Sequence, residues 1–297
     1  MARPADQQFG GDWTERKLDA LAAYLGKYTT ALSKQPFQLE YIDAFAGTGY
    51  REIAEYREGP GTSLFGETAD EAMEKYLEGS AARALKIARP FHRYAFVELS
   101  ADKVRKLEQL KSANGKLAER IEIVQSDANT YLAARAQENW IKAGRRAVVF
   151  VDPFGMQVNW HTIEGLAATK AVDLWLLYPV SAINRLLSRS GVRFDSWRAR
   201  LDRVFGGPAW FNAFYKKTPA QSLFPSVEDA RYEKSIDIDG LTAYMVGKLE
   251  TVFAQVVKKP LVLLARNQTP LFALCFAAAN PKGAPIACRI AKHILEQ

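Results

Sequence analysis

The chain has 297 residues, 48% hydrophobic and 25% charged, an ordinary globular composition that excludes wholesale disorder. No run of about eighteen uninterrupted apolar residues occurs, so no membrane span is expected, and residues 1–8 lack the apolar core of a secretory signal. The formal charge of +7 admits a polyanionic partner without requiring one.

In chain order, the first predicted element is a helix capped by Thr14, with Leu18, Leu21, Ala22 and Leu25 at helical spacing and Pro36 beyond its end. A buried strand follows over 38–45. Residues 50–79, with Gly59-Pro60-Gly61 and an acidic stretch, read as an insertion where a crossover helix would otherwise begin. A helix opens at Ser80. Strands over 93–99, 121–125, 147–151 and 172–178 alternate with helices opened by Ser100 and by Asp127. Apolar runs such as Val148-Val149-Phe150-Val151 suit central parallel strands covered on both faces.

Residues 181–240 interrupt this alternation with a segment that reads as helical, basic and aromatic. Between Arg185 and Lys217 stand eight basic residues against Asp195 and Asp202. A helix over 240–257 then precedes two apolar runs, 261–265 and 271–277. Their separation is too short for a parallel crossover, so they pair as an antiparallel hairpin. The expectation is one α/β domain over 1–297, a doubly wound, mostly parallel sheet with a C-terminal antiparallel strand. That is the Rossmann-like layout of class I methyltransferases. Cys275 and Cys288 lie in apolar surroundings, and with His92, His161 and His293 they form no metal-ligand pattern. They read as buried thiols of a cytoplasmic protein with no metal.

Candidate chemistry falls at the strand ends. In Asp43-Ala44-Phe45-Ala46-Gly47-Thr48-Gly49 the glycines let the backbone approach a ligand, and Asp43 can accept from a cationic amine. Asp43, Phe45, Gly47 and Gly49 are therefore cofactor-binding candidates. A dinucleotide fingerprint would need glycine where Glu52 stands, and the Gly-Lys-Ser/Thr of a P-loop is missing. A tight turn holding no ligand is the plain alternative. Glu98 ends the second strand, where an acidic residue commonly accepts from ribose hydroxyls; a solvated carboxylate is the alternative. Asp127 and the Ala128 N–H can meet an adenine ring, and Asp127 can equally cap the next helix.

Asp152-Pro153-Phe154-Gly155 is the sharpest signal and supplies the catalytic candidates Asp152, Pro153 and Phe154. The lone pair of an exocyclic amine is delocalised into its ring. Hydrogen bonds from its two N–H groups to the Asp152 carboxylate and the Pro153 carbonyl favour the geometry that exposes it, while Phe154 can stack on a base taken out of its helix. An ordinary strand-ending turn is the alternative. Arg185, Arg189, Arg193, Arg198, Arg200, Lys216 and Lys217 are the nucleic-acid candidates. The alternative is a small lid whose aromatics form its own core and whose arginines are merely solvated.

Trp13-Thr14 with Lys17-Leu18, the stretch Tyr41 through Gly49, Phe96-Val97-Glu98, Val151 through Gly155, and Asn280-Pro281-Lys282-Gly283 together resemble the three-Cys-motif partner family over nearly the whole chain. The resemblance implies a class I methyltransferase fold, S-adenosylmethionine as cofactor, and a cysteine-motif protein encoded nearby as a candidate partner. The tetrad is also similar to that of tRNA guanine-N2 dimethyltransferases. Adenine-N6 enzymes more often carry Asn/Asp-Pro-Pro-aromatic, so the target base stays open between adenine N6 and guanine N2, on RNA or DNA. The expected function is methylation of such an amine. A methyltransferase-fold protein that binds a partner without turnover, or an enzyme acting on a small molecule or protein, are the alternatives.

Overall fold

Buried side chains recur at helical spacing along the first element, α1 (Gly11–Ala31), from which Trp13, Leu21, Tyr24, Leu25 and Tyr28 face inward. This helix starts ahead of Thr14, which therefore lies inside it instead of capping it. The computed structural model describes residues 11–47, 79–153, 155–187, 195–218, 231–265 and 267–297. The expected insertion over 50–79 lies outside the described residues except for Gly79.

The elements alternate as the sequence suggests: β1 (Gln38–Asp43), α2 (Ser80–Leu85), β2 (Arg93–Glu98), α3 (Ala101–Ala113), β3 (Ile121–Gln125), α4 (Ala128–Ala136), β4 (Arg145–Val151), α5 (Trp160–Ala168) and β5 (Val172–Tyr178). Then come α6 (Val180–Leu186), α7 (Asp195–Phe205), α8 (Ala209–Phe214), β6 (Tyr215–Thr218) and β7 (Arg231–Lys234). The chain closes with α9 (Ile238–Glu250), β8 (Gln255–Val256), β9 (Leu261–Leu264), β10 (Pro270–Ala278) and α10 (Ala284–Leu295). The basic segment is not all helix, because β6 and β7 form a separate two-stranded antiparallel ribbon. The helix expected over 240–257 stops at Glu250, and the residues after it supply β8 on the edge of the main sheet.

The main sheet runs β3-β2-β1-β4-β5-β10-β8, with β9 also paired to β10. The first five strands are parallel, and β10 is antiparallel to β5, β8 and β9. This doubly wound sheet with one reversed C-terminal strand is the class I methyltransferase fold. Alternate residues divide between two cores, as the period of two demands. Ile42, Val149, Val151, Leu174 and Leu176 face α4, α5 and α9. Tyr41, Val148, Phe150, Trp175 and Leu177 face α1, α2 and α10. Both cysteines are free thiols in the buried interior. Among the described residues, no helix is long and apolar enough to cross a membrane.

Two buried carboxylate sites lock layers together away from the strand ends. Glu40 on β1 accepts from Arg135 of α4 and, at 3.3 Å, from Arg145 of β4, while both guanidiniums lie over the Trp140 ring at 4.8 and 4.7 Å. Asp173 on β5 accepts from the Tyr24 hydroxyl of α1 at 2.6 Å. Burial pushes the Asp173 carboxyl up to about 7, against the pull of Tyr24 and Arg146. A carboxyl raised on folding stabilises the fold while protonated, and that contribution is lost as pH rises from its unfolded value toward about 7. The thermal midpoint should therefore fall between about pH 4 and 8, and Asp173→Asn should remove part of that fall. Calorimetric scans of both proteins across this range check it; an unchanged slope would show that Asp173 does not titrate there.

Candidate functional site

Strand register assembles the site. Asp43 at the end of β1 pairs with Phe96 of β2 on one side and Phe150 of β4 on the other, and Phe96 pairs with Ile123 of β3. Two residues further along, Glu98 and Gln125 form the next paired row, and Asp152 follows Phe150 by the same step. Side chains two apart share a face, so Asp43, Glu98 and Asp152 project to the α1 side of the sheet. β1 ends at Asp43, whereas β2 continues to Glu98. Past Asp43 the chain stays tied to both neighbours, the Ala44 N–H donating to the Phe150 carbonyl and the Ala46 N–H to the Val97 carbonyl, both at 3.0 Å. The strand order also reverses between β1 and β4, and open α/β sheets bind ligands in the crevice at that point.

Asp43 is fully buried and holds the turn. Its Oδ1 accepts from the Phe45 N–H at 3.3 Å, its Oδ2 from the Tyr41 hydroxyl at 3.3 Å, and the Ser80 hydroxyl also hydrogen-bonds it. Burial pushes its carboxyl up to about 7, and the nearby Asp152 adds to the rise. Phe45 turns away and packs against the α5 side of the core.

Gly47 lies directly on Glu98. A Cβ there would run into Glu98 Oε2 and stand 2.9 Å from Lys103 Cβ, so only glycine fits. Glu98 is 9% exposed; its Oε1 accepts from the Ser100 N–H at 2.8 Å and lies 3.7 Å from Lys103 Nζ. Ser100 occupies the N-cap position of α3, but its hydroxyl makes no capping bond. Asp127 is exposed and caps α4, accepting from the Thr130 N–H at 3.0 Å. Ala128 is buried at the first turn of that helix. Gly49 lies outside the described residues.

Asp152 follows the last residue of β4, its side chain 8% exposed. The sequence reading missed its partner. Lys17 of α1, with a side chain of 0% exposure, donates to Asp152 Oδ2 at 3.0 Å. Its ammonium lies 5.7 Å from the Trp13 ring centre and 5.9 Å from that of Phe150. Burial lowers Lys17 to about 8 even though Asp152 and Asp43 both favour its charge. Burial raises the Asp152 carboxyl, and Lys17 opposes the rise.

Pro153 is buried, and Gly155 has φ +67°, a left-handed value that favours glycine. Phe154 lies outside the described residues. The loop after the turn is tied down by Asn129, whose Oδ1 accepts from the Asn159 N–H and the Thr162 hydroxyl, both at 2.9 Å. Pro153, Gly155, Tyr178, Pro179, Val204 of α7 and Met245 of α9 contribute to the lining of a cavity of about 30 Å³ beside the turn. The basic segment thus adjoins the end of β4.

Within that segment Phe205, Trp210, Phe214 and Tyr215 are buried. Arg198 lies 5.4 Å over Phe211 and Arg200 5.0 Å over Trp197. Arg185, Arg198, Lys216 and Lys217 are exposed and Arg200 is half-buried. Arg189 and Arg193 lie outside the described residues. The aromatics are chiefly the segment's own core, and the charges face out.

No family model and no curated protein matches the chain. Among solved structures it is similar to a Legionella pneumophila protein of the family described as DUF519, at 13% identity over 96% of this chain and 92% of that one, with a TM-score of 0.43. A candidate S-adenosylmethionine-dependent methyltransferase from Listeria monocytogenes matches at 11% identity over 87% and 98%, with a TM-score of 0.36. A candidate methyltransferase, yhhF from Escherichia coli, matches at 14% identity over 71% and 82%, with a TM-score of 0.27. These likenesses are weak, and the fold assignment rests on this chain's own strand order.

Because Gly47 abuts Glu98, Gly47→Ala should lower stability by about 1–3 kcal/mol through overpacking. Gly247→Ala in α9, where a Cβ meets nothing within 4 Å, should stabilise the fold by about 0.5–1 kcal/mol. Urea unfolding of the two variants gives the comparison, and equal effects would remove the claim of close contact at Gly47.

Proposed function

We propose that the chain is an S-adenosylmethionine-dependent methyltransferase acting on an exocyclic amino nitrogen of a nucleic-acid base, adenine N6 or guanine N2. We group it with the three-Cys-motif partner family on the motifs it carries. The observation that supports this reading best is the sequence of carboxylates at the ends of four adjacent strands, Asp127, Glu98, Asp43 and Asp152, at the point where the strand order reverses. Three strand spacings of about 4.8 Å give a span of about 14 Å, the scale of an extended nucleoside joined to an amino acid.

The residues fit that group. Gly47 keeps the space beside Glu98 free of a side chain, which suits Glu98 to ribose hydroxyls. Asp127 and the Ala128 N–H suit the adenine, and the turn of Asp43, Phe45, Gly47 and Gly49 suits the amino-acid end. S-adenosylmethionine, when bound, supplies an electrophilic methyl group.

The protein's part is to hold the acceptor. Asp152 and the Pro153 carbonyl receive the two N–H groups of the target amine, which directs its lone pair away from the ring. Phe154 stacks on the base, and the left-handed Gly155 fixes the turn that carries all three. Arg185, Arg189, Arg193, Arg198, Arg200, Lys216 and Lys217 are the residues assigned to phosphates in this reading; Val204 of the same segment lines a cavity with Pro153. A cysteine-motif partner protein belongs to the same reading on the resemblance alone, and a cytoplasmic location on the free thiols of Cys275 and Cys288.

Titration calorimetry with S-adenosylmethionine tests the proposal. Wild type should bind, Asp43→Ala and Glu98→Ala should lose most of the affinity, and Asp152→Ala should retain it within a few-fold while losing methyl transfer to RNA or DNA. Absence of binding by well-folded wild type would overturn the enzyme reading in favour of a fold that grips a partner. Binding of RNA or DNA should weaken steeply with salt if the basic segment contacts phosphates.

A further inference from the structure

Lys17 is a buried charge whose presence stability alone does not explain. It stands in the apolar stripe of α1 among Trp13, Leu18, Leu21 and Tyr24, all buried, where leucine or methionine would pack without a desolvation cost. Taking an ammonium out of water is costly, pairing offsets that cost only in part, and replacing buried ion pairs by apolar residues is often neutral or stabilising. Its partner, 135 positions away in sequence, is the carboxylate at the switch point of the sheet.

We propose that Lys17 is the positioning residue of the site: its ammonium holds Oδ2 of Asp152 and fixes the plane in which that carboxylate meets the target amine. This rests on the methyltransferase reading for the identity of the amine, though not for the hold on Asp152. Facing the ammonium are Asp152 from the end of β4 and Asp43 from β1, and the Tyr41 hydroxyl of β1 donates to Asp43. The rings of Trp13 and Phe150 enclose it without adding charge.

Burial pushes both carboxyls toward their neutral forms, and Lys17 opposes that push at Asp152. Without the ammonium, Asp152 takes up a proton at higher pH and exchanges an acceptor oxygen for a hydroxyl donor. A protonated Asp152 would present that hydroxyl to an amine that needs acceptors. α1 is in this way part of the reaction centre as well as of the packing.

The test compares full-length wild type, Lys17→Met, Lys17→Gln and Lys17→Arg by carbon-13 NMR of the aspartate carboxyls, with Asp152→Asn assigning the resonance. In Lys17→Met the Asp152 carboxyl should titrate at least about one pH unit higher. Lys17→Arg should keep the wild-type midpoint. Should Lys17→Met fail to fold, Lys17→Gln, which keeps a donor without the charge, carries the same expectation. Cofactor affinity should stay within a few-fold, while kcat for methyl transfer falls about 100-fold with KM little changed and its acid limb shifted to higher pH.

An Asp152 midpoint unmoved in the uncharged variants overturns the proposal whatever the cofactor measurements give. So does a folded Lys17→Met with wild-type kcat and pH profile. Failure of wild type to bind S-adenosylmethionine overturns the methyltransferase reading instead, and the carboxyl titration still decides whether Lys17 governs Asp152.

Discussion

The site depends on the register of a regular parallel ladder. β1 is paired on both sides through Asp43, opposite Phe96 and Phe150, and then turns while β2 continues. The parallel direction brings the strand ends to one edge, and the register gives Asp43, Glu98 and Asp152 a common face. The lines of Glu98 and Asp152 stand two strand spacings apart, about 10 Å, and the turn after Asp43 runs between them, bonded to Val97 on one side and Phe150 on the other.

The buried charges divide by position along the strands. Glu40, at the amino half of β1, is met by two guanidiniums that lie over Trp140, and Glu138 adds a further acid to that network. That arrangement is close to neutral and belongs to packing. At the carboxyl ends Asp43 and Asp152 share the neighbourhood of one lysine, so full ionisation leaves an excess of negative charge. Burial chiefly, and the neighbouring Asp152 in addition, raise the Asp43 carboxyl to about 7. A cluster with that imbalance is costly as structure and useful as a receiver of N–H groups.

Much of this was legible in the sequence, because the relevant signals are local. The uninterrupted Val148–Val151 run required a covered strand, the brief gap before Leu271 required a hairpin, and the acidic residues marked strand ends. Asp127 as a helix cap was equally readable, and the structure gives it that bond. Ser100 was identified by position, but the Glu98 carboxylate takes its N–H and its hydroxyl is not used for the cap. The pairing of Lys17 with Asp152 was not legible, since no local pattern links residues 135 positions apart. One signal was available: a lysine within an apolar stripe is anomalous, and the same short stretch, Trp13 to Leu18, contributes to the family resemblance. The ribbon of β6 and β7 escaped for another reason. Its strands have four residues each, too few for a period of two to declare itself.

The basic segment illustrates how composition misleads when rings and charges occur together. Interleaved arginine and aromatic residues suggest stacking surfaces for bases, yet Phe205 meets Phe214 edge-on at 5.3 Å and Trp210 is fully buried. Those rings are spent on the core that joins the segment to α9, where Tyr244 packs against Phe205 and Phe214. Arg198 and Arg200 lie over Phe211 and Trp197, so part of their apolar surface is covered while charge is carried at the surface. In the proposed reading such a face would meet phosphates without discriminating among bases. Discrimination in the proposed reading therefore falls to the turn after β4, where Asp152 is held by Lys17 and the backbone is fixed by Pro153 and Gly155.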